Sequence, residues 1–312
     1  MHPERYVPMS TSSPQVTVII LNWQRPAETL ACLQSLQALD YPSFDVLVVD
    51  NGSTIGNPSA IRAEFPGITL IENGRNLGFA GGNNVGITYA LARGADYVLL
   101  LNDDTEVAPD LLSRLVEIAD VDSQIGMLGP TIYYFGLDQV IWSAGGSISS
   151  DGEPRHLDAD QRDPGATYTL RDVDYATGCA LLVKKDVIEQ AGALDERFFA
   201  YFEETEWCAR ARRAGFRVVH VPQAHVWHKV APGERSLSAS YLYLMTRNRF
   251  LYLRCRGASL ETFIRAGVQL LRTQLSWSLR SEYQAFRPLR GAPWRGFRDF
   301  VLGRFGSPPV RL

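Results

Sequence analysis

The sequence has little cysteine and no long apolar run. Its four cysteines lie far apart and form no CxxC pair, which argues against a disulfide framework or a zinc ribbon and favours reduced thiols in a cytosol. No stretch of 18 consecutive apolar residues is present, so we expect no membrane-spanning helix. Residues 1–14 are polar and lack the apolar segment of a signal peptide, so we predict a flexible leader there.

The net charge of the chain is small, but the charges are distributed unevenly along it. The formal net charge is only −3, which argues against a nucleic-acid partner. However, residues 236–312 contain 13 Arg, no Lys and three acidic residues, a net +10, whereas residues 1–235 carry −13. Aromatic residues are interleaved with these arginines. Two interpretations stay open: an amphipathic surface that contacts an anionic membrane, or a helical subdomain whose arginines pair with the acidic body.

The first 125 residues alternate short apolar strands with helices. Such alternation predicts βαβ units and a doubly wound, mostly parallel sheet with flanking helices, an α/β fold. The strands are continuous apolar runs, as expected when both faces of a strand are buried. We predict strands at 16–21, 44–49, 68–72 and 97–101, and helices at 26–39, 59–65, 80–93 and 109–119.

The second half of the sequence has a different pattern, richer in glycine and aromatic residues. We predict strands and loops over 132–148 and 168–183, short helices at 185–191 and 205–214, and a strand at 216–221. A long helix follows at 238–256, and two more lie within 260–300. The predicted units are a main body over 15–235, with a division at 125/126, and a basic helical extension over 236–312.

Polar residues follow three of the predicted strands at their carboxyl ends. Asn22 follows the first strand, Asp50 and Asn51 end the second, and Asn102 with Asp103 and Asp104 ends the fourth. Ligands of doubly wound sheets bind at this edge, so the pattern predicts a nucleotide-type site. Asp50 suits a contact to a nucleobase or ribose, whereas its position by itself favours a turn residue or helix cap.

The adjacent carboxylates Asp103 and Asp104 repel each other unless a cation or a donor offsets their charge. Oxygen ligands of this kind suit Mg²⁺ or Mn²⁺ bridging to a diphosphate. The alternative is a solvated turn that caps the helix near Pro109. Downstream, Asn76, Gly78, Gly82 and Asn83 belong to a glycine-rich loop entering a helix, which would let backbone approach a base or sugar, or form a plain turn.

Two further clusters carry chemistry. Glu203, Glu204 and Glu206 stand among aromatic residues in the run FFAYFEETEW, where exclusion of water would raise a carboxylate pKa and suit a general base. At least one of the three is expected to be structural, because Glu in a first helical turn favours the helix dipole. His225 and His228 occupy a predicted loop, and a single His aiding a metal or phosphate is favoured over a two-His zinc site.

Taken together, the order VTVIILNW, VVDNGS, NLGFAGGNN, LLLNDDT, FFAYFEETEW and then a His-containing segment resembles glycosyltransferase family 2, in its rhamnosyltransferase-like branch. The resemblance covers about residues 15–255. It implies a GT-A fold, an inverting mechanism, a nucleotide-diphosphate sugar donor and a divalent metal. The body over 15–235 would then be the catalytic domain, with a nucleotide-sugar-binding half over 15–125 and an acceptor-binding half over 126–235.

Matched to the family pattern, Asp50 would contact the nucleobase and Asp104 would bind the metal, with Asn102 in place of the first Asp of the DXD pattern. Glu204 would be the catalytic base, with Glu203 as second candidate, and His228 would help to bind metal or diphosphate.

The resemblance implies a dTDP-L-rhamnose or UDP-hexose donor and a glycan or lipid-linked glycan acceptor. The predicted location is the cytoplasm or the inner face of the cytoplasmic membrane, and a homodimer is left open. The competing classes are a non-catalytic nucleotide-sugar-binding module and a nucleotide-sugar pyrophosphorylase, although the latter should carry a glycine-rich basic loop where Asn22 to Arg25 stand.

Overall fold

The computed structural model of the protein describes residues 13–54, 58–137, 139–165, 169–232 and 238–309. The predicted flexible leader, 1–14, lies outside the described residues except for Ser13 and Pro14. Pro14 accepts a hydrogen bond from the Tyr41 hydroxyl through its carbonyl, at 2.8 Å, so the chain is already attached to the body just before the first strand.

The first half of the chain forms the predicted alternation of strands and helices. Each apolar run is a strand, and each amphipathic segment between them is a helix. The elements are β1 (Val16–Asn22), α1 (Pro26–Leu36), β2 (Phe44–Asp50), α2 (Ser59–Glu64), β3 (Thr69–Glu72), α3 (Gly78–Ala92), β4 (Tyr97–Asn102), β5 (Thr105–Val107) and α4 (Leu111–Val121).

The second half adds further strands to the same sheet and then a helical extension. Its elements are β6 (Ile125–Tyr134), β7 (Ile141–Ser143), β8 (Gly146–Ile148), β9 (Pro154–His156), β10 (Arg171–Asp172), β11 (Ala180–Lys184), α5 (Lys185–Ala191), α6 (Glu203–Arg213) and β12 (Arg217–His228). The extension consists of α7 (Ala239–Cys255), α8 (Leu260–Leu279), a 3₁₀ helix (Ser281–Leu289) and α9 (Gly291–Val301).

Ten of the strands in the described residues form one large sheet, whose main order is β10-β12-β6-β11-β4-β1-β2-β3, with β5 paired to β12 and β7 paired to β6. The strands β8 and β9 form a separate two-stranded sheet. The strands β4, β1, β2 and β3 are parallel, as predicted. In contrast, β11 runs antiparallel to both of its neighbours, β4 and β6, so the sheet as a whole is mixed. The α/β class with flanking helices and a C-terminal helical region is confirmed.

Both faces of the central strands are buried, which explains why their sequences are continuous apolar runs. Along β1, Val16, Val18 and Ile20 pack into one core together with α1 and α4, while Ile19 points into a second core on the opposite face with α3 and α5. Burial of aliphatic side chains stabilises the fold by about 25 cal/mol per Å² of apolar surface removed from water. The sheet is therefore a rigid base for the residues at its carboxyl edge.

Three predicted boundaries near the candidate site are wrong. The helix α3 begins at Gly78, so most of the expected glycine-rich loop is helical. The helix α6 begins at Glu203 rather than at Thr205, which leaves three acidic residues in its first turn, where they favour the helix dipole. The strand β12 continues to His228, because its second half pairs antiparallel with β5 and parallel with β6.

Candidate active site

Asn22 and Asp50 end the neighbouring strands β1 and β2 in register, and both side chains are buried. Asn22 Nδ2 donates to Asp50 Oδ1 at 2.7 Å. Asp50 Oδ2 accepts the backbone N–H groups of Gly52 at 3.2 Å and Ser53 at 3.0 Å. Asp50 therefore shapes the turn after β2, and its contact with a nucleobase stays a prediction.

Asn51 fixes the segment that leads into α3. Its Nδ2 donates to Asn76 Oδ1 at 3.1 Å and to the Gly78 carbonyl at 3.0 Å, and its Oδ1 accepts the N–H of Leu77 at 2.9 Å. Asn76 Oδ1 also accepts the N–H of Gly78 at 2.7 Å, at the start of the helix. The two asparagines hold this segment at the carboxyl edge of the sheet, beside the end of β2.

The glycine-rich segment packs tightly against its neighbours. Gly78 has φ +77°, and a Cβ there would lie 2.4 Å from the carbonyl oxygen of Phe199. A Cβ on Gly82 would lie 2.4 Å from Leu21 Cδ1. Asn83 Nδ2 donates back to the Phe79 carbonyl at 2.9 Å. Gly82 and Asn83 thus serve helix packing in this structure, and their donor-binding role stays a prediction.

Asp103 and Asp104 lie in the connection between β4 and β5 and are both buried. Asp104 Oδ1 is 3.0 Å from His228 Nε2, and its Oδ2 accepts from Arg25 Nη1 at 2.8 Å. The helix α4 begins with Asp110 as its N-cap residue, well beyond this pair. The alternative of a solvated turn that caps the helix is therefore wrong.

The pKa values of the two carboxyl groups are shifted in opposite directions. Burial raises the pKa of Asp103 to about 7, with a further contribution from the neighbouring Asp104 carboxylate. Burial also acts to raise the pKa of Asp104, but the hydrogen bond from His228 and the Arg25 guanidinium outweigh it and lower that pKa below its usual value. Asp104 is thus the carboxylate kept ionised at this edge.

His228 ends β12 opposite Thr105 of β5, which brings it to Asp104 from a distant part of the chain. Its ring contacts Trp142 edge to face, with 4.6 Å between ring centroids. Its Nδ1 is buried and has no hydrogen-bond partner among the described residues. His225 instead lies with its Nε2 3.0 Å from the Pro222 carbonyl, so the two histidines do not share a site, as predicted.

A divalent cation fits this donor set. The ionised carboxylate of Asp104 and the imidazole of His228 are both suitable ligands, and the Nδ1 of His228 lacks a partner in the described structure. No group of three or more His, Cys, Asp or Glu side chains within the described ranges could hold a metal ion by itself. The protein would therefore supply few ligands, and the remainder would come from substrate phosphates and water, as is common for Mg²⁺.

Glu203 and Glu204 begin α6, directly after Phe199, Tyr201 and Phe202, which all have φ near +70°. Glu203 is buried, and each carboxyl has a buried Oε2 with no partner among the described residues. Burial raises the pKa of both groups, and for Glu203 the Glu204 carboxylate raises it further.

In contrast, Glu206 is paired with Arg210 at 2.9 Å and with Arg213 at 3.5 Å. It is the structural member of the acidic run, which confirms that at least one of the three glutamates is structural.

A short chain of contacts connects the carboxylate pair on β4 with the glutamates on α6. The Asn102 N–H donates to the Cys179 carbonyl at 2.9 Å. Gly178, which precedes Cys179, lies against Glu204, because a Cβ added to Gly178 would be 3.7 Å from Glu204 Cβ. The segment after β4 and the start of α6 are thus connected through residues 178 and 179.

Three residues at or behind this site are not indicated by the sequence pattern. Arg25 was noted only as part of a segment without glycine, yet it pairs with Asp104. Arg247 and Asn248 were assigned to the basic extension, yet both are fully buried. Asn248 Nδ2 lies within 2.9 Å of the carbonyls of Phe198, Ala200 and Tyr201, and Arg247 Nη2 donates to the Phe198 carbonyl at 2.9 Å. The alternation of apolar and basic residues along α7 could not indicate these contacts.

Comparison with known proteins identifies the class to which this fold and site belong. Residues 14–250 match the model of a family described as "Glycosyltransferase like family 2". The chain belongs to this glycosyltransferase family, within its rhamnosyltransferase-like members.

The chain is similar to curated proteins along most of its length. It is 30% identical over 241 residues to the "Low-salt glycan biosynthesis hexosyltransferase Agl10" of Haloferax volcanii, covering 76% of this chain and 74% of the relative. It is 29% identical over 268 residues to an "N-acetylglucosaminyl-diphospho-decaprenol L-rhamnosyltransferase" of Mycobacterium tuberculosis, covering 80% and 83%.

Among solved structures, the fold is similar to a mannosyltransferase of Pyrobaculum calidifontis in complex with GDP-Man and Mn²⁺. The TM-score is 0.57 at 17% identity, and the match covers 97% of this chain and 91% of that chain. This likeness confirms the GT-A fold.

Proposed function

We propose that this glycosyltransferase transfers L-rhamnose from dTDP-L-rhamnose, or a hexose from a UDP-sugar, to a hydroxyl group of a glycan or lipid-linked glycan precursor, with inversion at the anomeric carbon. The observation that carries this proposal is the chain of contacts from Asp104 through Asn102 and Gly178 to Glu204. It connects an ionised carboxylate beside the Arg25 guanidinium with a carboxyl whose Oε2 is buried.

The chemical step follows from these charges. A hydroxyl oxygen of the acceptor attacks the anomeric carbon and forms the new C–O bond, while the bond from that carbon to the diphosphate oxygen breaks and the diphosphate keeps the electron pair. Glu204 accepts the hydroxyl proton, for which a pKa raised above the usual glutamate value is favourable. The anomeric carbon has oxocarbenium character in the transition state, as in other glycosyl chemistry.

Arg25 and the residues around Asp104 act on the leaving group. The Arg25 guanidinium is 54% exposed, so it can reach a diphosphate without losing its position beside Asp104. Asp104 and His228 would hold a divalent Mg²⁺ or Mn²⁺ ion, which when bound supplies positive charge that stabilises the leaving diphosphate. Placing fixed charge where negative charge develops is an effective way to lower a barrier of this kind.

Support for the acceptor side comes from aromatic residues beside His228. Trp142 contacts the rings of both His228 and His156, at 4.6 and 4.5 Å between centroids. Aromatic faces stack on sugars, so this cluster is our candidate for acceptor contact. The name of the mycobacterial relative includes a diphospho-decaprenol, which supports a lipid-linked acceptor.

The working location that we propose is the cytoplasmic face of the cytoplasmic membrane. The four free cysteines are consistent with a reducing compartment.

A panel of nucleotide sugars tests the donor. Binding stabilises a folded protein in proportion to ligand concentration and affinity, so thermal shift in the presence of Mn²⁺ ranks the donors. We expect dTDP-L-rhamnose to raise the melting temperature most, with UDP-hexoses next. A larger shift with GDP-sugars would overturn the donor assignment. Slow release of nucleoside diphosphate from the bound donor distinguishes an enzyme from a binding module.

A further inference from the structure

The helix α8 presents an apolar stripe that no described part of the protein covers. Aliphatic side chains recur on one face over five turns, at helical spacing. They are Leu260 (75% exposed), Ile264 (57%), Val268 (40%), Leu271 (49%), Leu275 (58%) and Leu279 (78%). We call these six residues the α8 stripe. Contiguous exposed apolar surface of this kind marks an interaction site rather than ordinary surface.

The opposite face of α8 is firmly attached to the protein. Phe263 and Leu270 pack against Phe250 and Leu253 of α7 in one apolar cluster. Gln269 Nε2 donates to Glu153 Oε2 at 3.0 Å, which ties the middle of the helix to the catalytic body. The stripe therefore faces outward because the other side of the helix is already used, and it is held in a fixed orientation.

Arginines lie beside the stripe. Arg265 and Arg272 are exposed and occupy positions next to it on the helix surface, and Arg280 follows its last turn. Arg265 is paired with Glu261 of the same helix. Arg249 pairs with Asp151 at 2.6 Å, and Arg254 stacks over Phe300 and Phe305, so only part of the basic extension is engaged in folding contacts.

The charge around the α8 stripe distinguishes between its two candidate partners, a second copy of the chain and a lipid surface. Residues 236–312 carry a net +10. A second copy of this chain that packed stripe against stripe would bring two such regions together, and their repulsion would oppose association. An anionic lipid surface instead offers opposite charge for the arginines and an apolar layer for the aliphatic side chains, which is how interfacial helices bind.

We propose that the α8 stripe inserts into the interface of an anionic membrane, with Arg265, Arg272 and Arg280 contacting lipid headgroups, and so holds the catalytic domain at the bilayer surface. Within the described residues, no helix is both long and apolar enough to span a membrane. The proposal rests on the proposed function in one respect: a lipid-linked acceptor would be present at the same membrane surface. Binding to lipid can be measured without any sugar transfer.

The test is flotation of the full-length protein with vesicles made of phosphatidylcholine alone or of equal parts phosphatidylcholine and phosphatidylglycerol. We expect the wild-type protein to float with the anionic vesicles and to remain unbound with the neutral ones. The triple variant Ile264→Gln, Leu271→Gln, Leu275→Gln should lose at least tenfold in binding. Arg272→Gln should weaken binding by about fivefold, and added salt should weaken it further.

The matched control is Val121→Gln, which replaces an aliphatic residue that is 81% exposed on α4. It should float like the wild-type protein. All variants should keep their melting temperature and their nucleoside diphosphate release in solution, because no substituted residue lies in the candidate active site. Deleting the extension would be a poorer test, since Arg247 of α7 donates to the Gly306 carbonyl and the deletion would disturb the body.

Absence of wild-type flotation with anionic vesicles would overturn the proposal. So would equal flotation of the triple variant, or a wild-type dimer in sedimentation that becomes a monomer in the triple variant without any lipid binding. Failure of sugar transfer with intact flotation would count against the proposed function alone.

Discussion

Asp104 and His228 lie 3.0 Å apart, Oδ1 to Nε2, although 124 positions separate them in the chain. The contact exists because β12 pairs with β5, the short strand that follows the carboxylate pair. A strand pairing between distant segments thus creates the pair of groups that would hold a divalent ion. Arg25 approaches the other oxygen of the same carboxylate from the connection after β1.

Removing the charge of Asp104 should abolish the metal dependence of donor binding. We expect Asp104→Asn to lower donor affinity at least tenfold in the presence of Mn²⁺, because the variant lacks the ionised ligand, while affinity without metal changes little. Isothermal titration with dTDP-L-rhamnose, with and without Mn²⁺, measures both. Asp110→Asn is the control, since Asp110 is a half-buried residue that pairs with Arg114 away from this site. Equal effects of metal on Asp104→Asn and wild type would refute the assignment.

The pH dependence of turnover should reflect the environment of Glu204. Burial raises the pKa of this carboxyl, and a general base must be deprotonated to act. The rate should therefore fall on the acid side at a pH clearly above the usual glutamate pKa, and recover as the pH rises through the raised value. A profile of kcat/KM against pH tests this. A flat profile down to pH 5 would contradict a raised pKa at the base.

Glu203 should lower stability at neutral pH. Burial and the neighbouring Glu204 raise its pKa, so the folded state binds a proton that the unfolded state has already released. Stability linked to this group is present below the usual glutamate pKa and is lost as the pH rises through the raised value. Glu203→Gln removes that loss. Its melting temperature should exceed that of wild type by a few degrees at pH 8 and match it near pH 4, in scanning calorimetry. The reverse order would contradict the account.

Asn248 should position the catalytic segment. Its Nδ2 donates to the carbonyls of Phe198, Ala200 and Tyr201. Within the same segment, Phe199 and Tyr201 have left-handed backbone conformations. Such conformations cost about 1 kcal/mol or more each and persist only when neighbours fix them. Asn248→Ala should lower the free energy of unfolding by about 2 kcal/mol.

The same variant should also lower kcat, with little change in donor KM, because Glu204 begins the helix that follows this segment. Urea unfolding and steady-state kinetics measure the two effects. Thr246→Ala is the control, since the Thr246 hydroxyl donates to the Leu242 carbonyl within its own helix. A stability loss with unchanged kcat would make Asn248 purely structural.

The sequence was sufficient to predict the strands that carry the site. Strand sequences such as the one ending at Asn22 are apolar on both faces, as expected for a sheet with helices packed on both of its faces. It also placed Asp50, Asn102 and Asp104 at one edge, because parallel strands end on the same side.

The remaining features depend on distant pairing. The extension of β12 to His228 requires β5, and the burial of Arg247 and Asn248 requires the carbonyls of 197–201. Neither is encoded by local periodicity, since an arginine on an amphipathic helix usually lies at its surface.

The most direct test of the account follows the sugar itself. When the wild-type protein with Mn²⁺ hydrolyses its donor slowly, water takes the place of the acceptor, and the sugar first released should be the anomer opposite to that of the donor, detectable by NMR before mutarotation. Glu204→Gln should remain folded and slow this release at least a hundredfold, while Glu206→Gln should affect stability more than rate. Release of the same anomer as in the donor, or near-normal turnover by Glu204→Gln, would contradict an inverting transferase with Glu204 as its base.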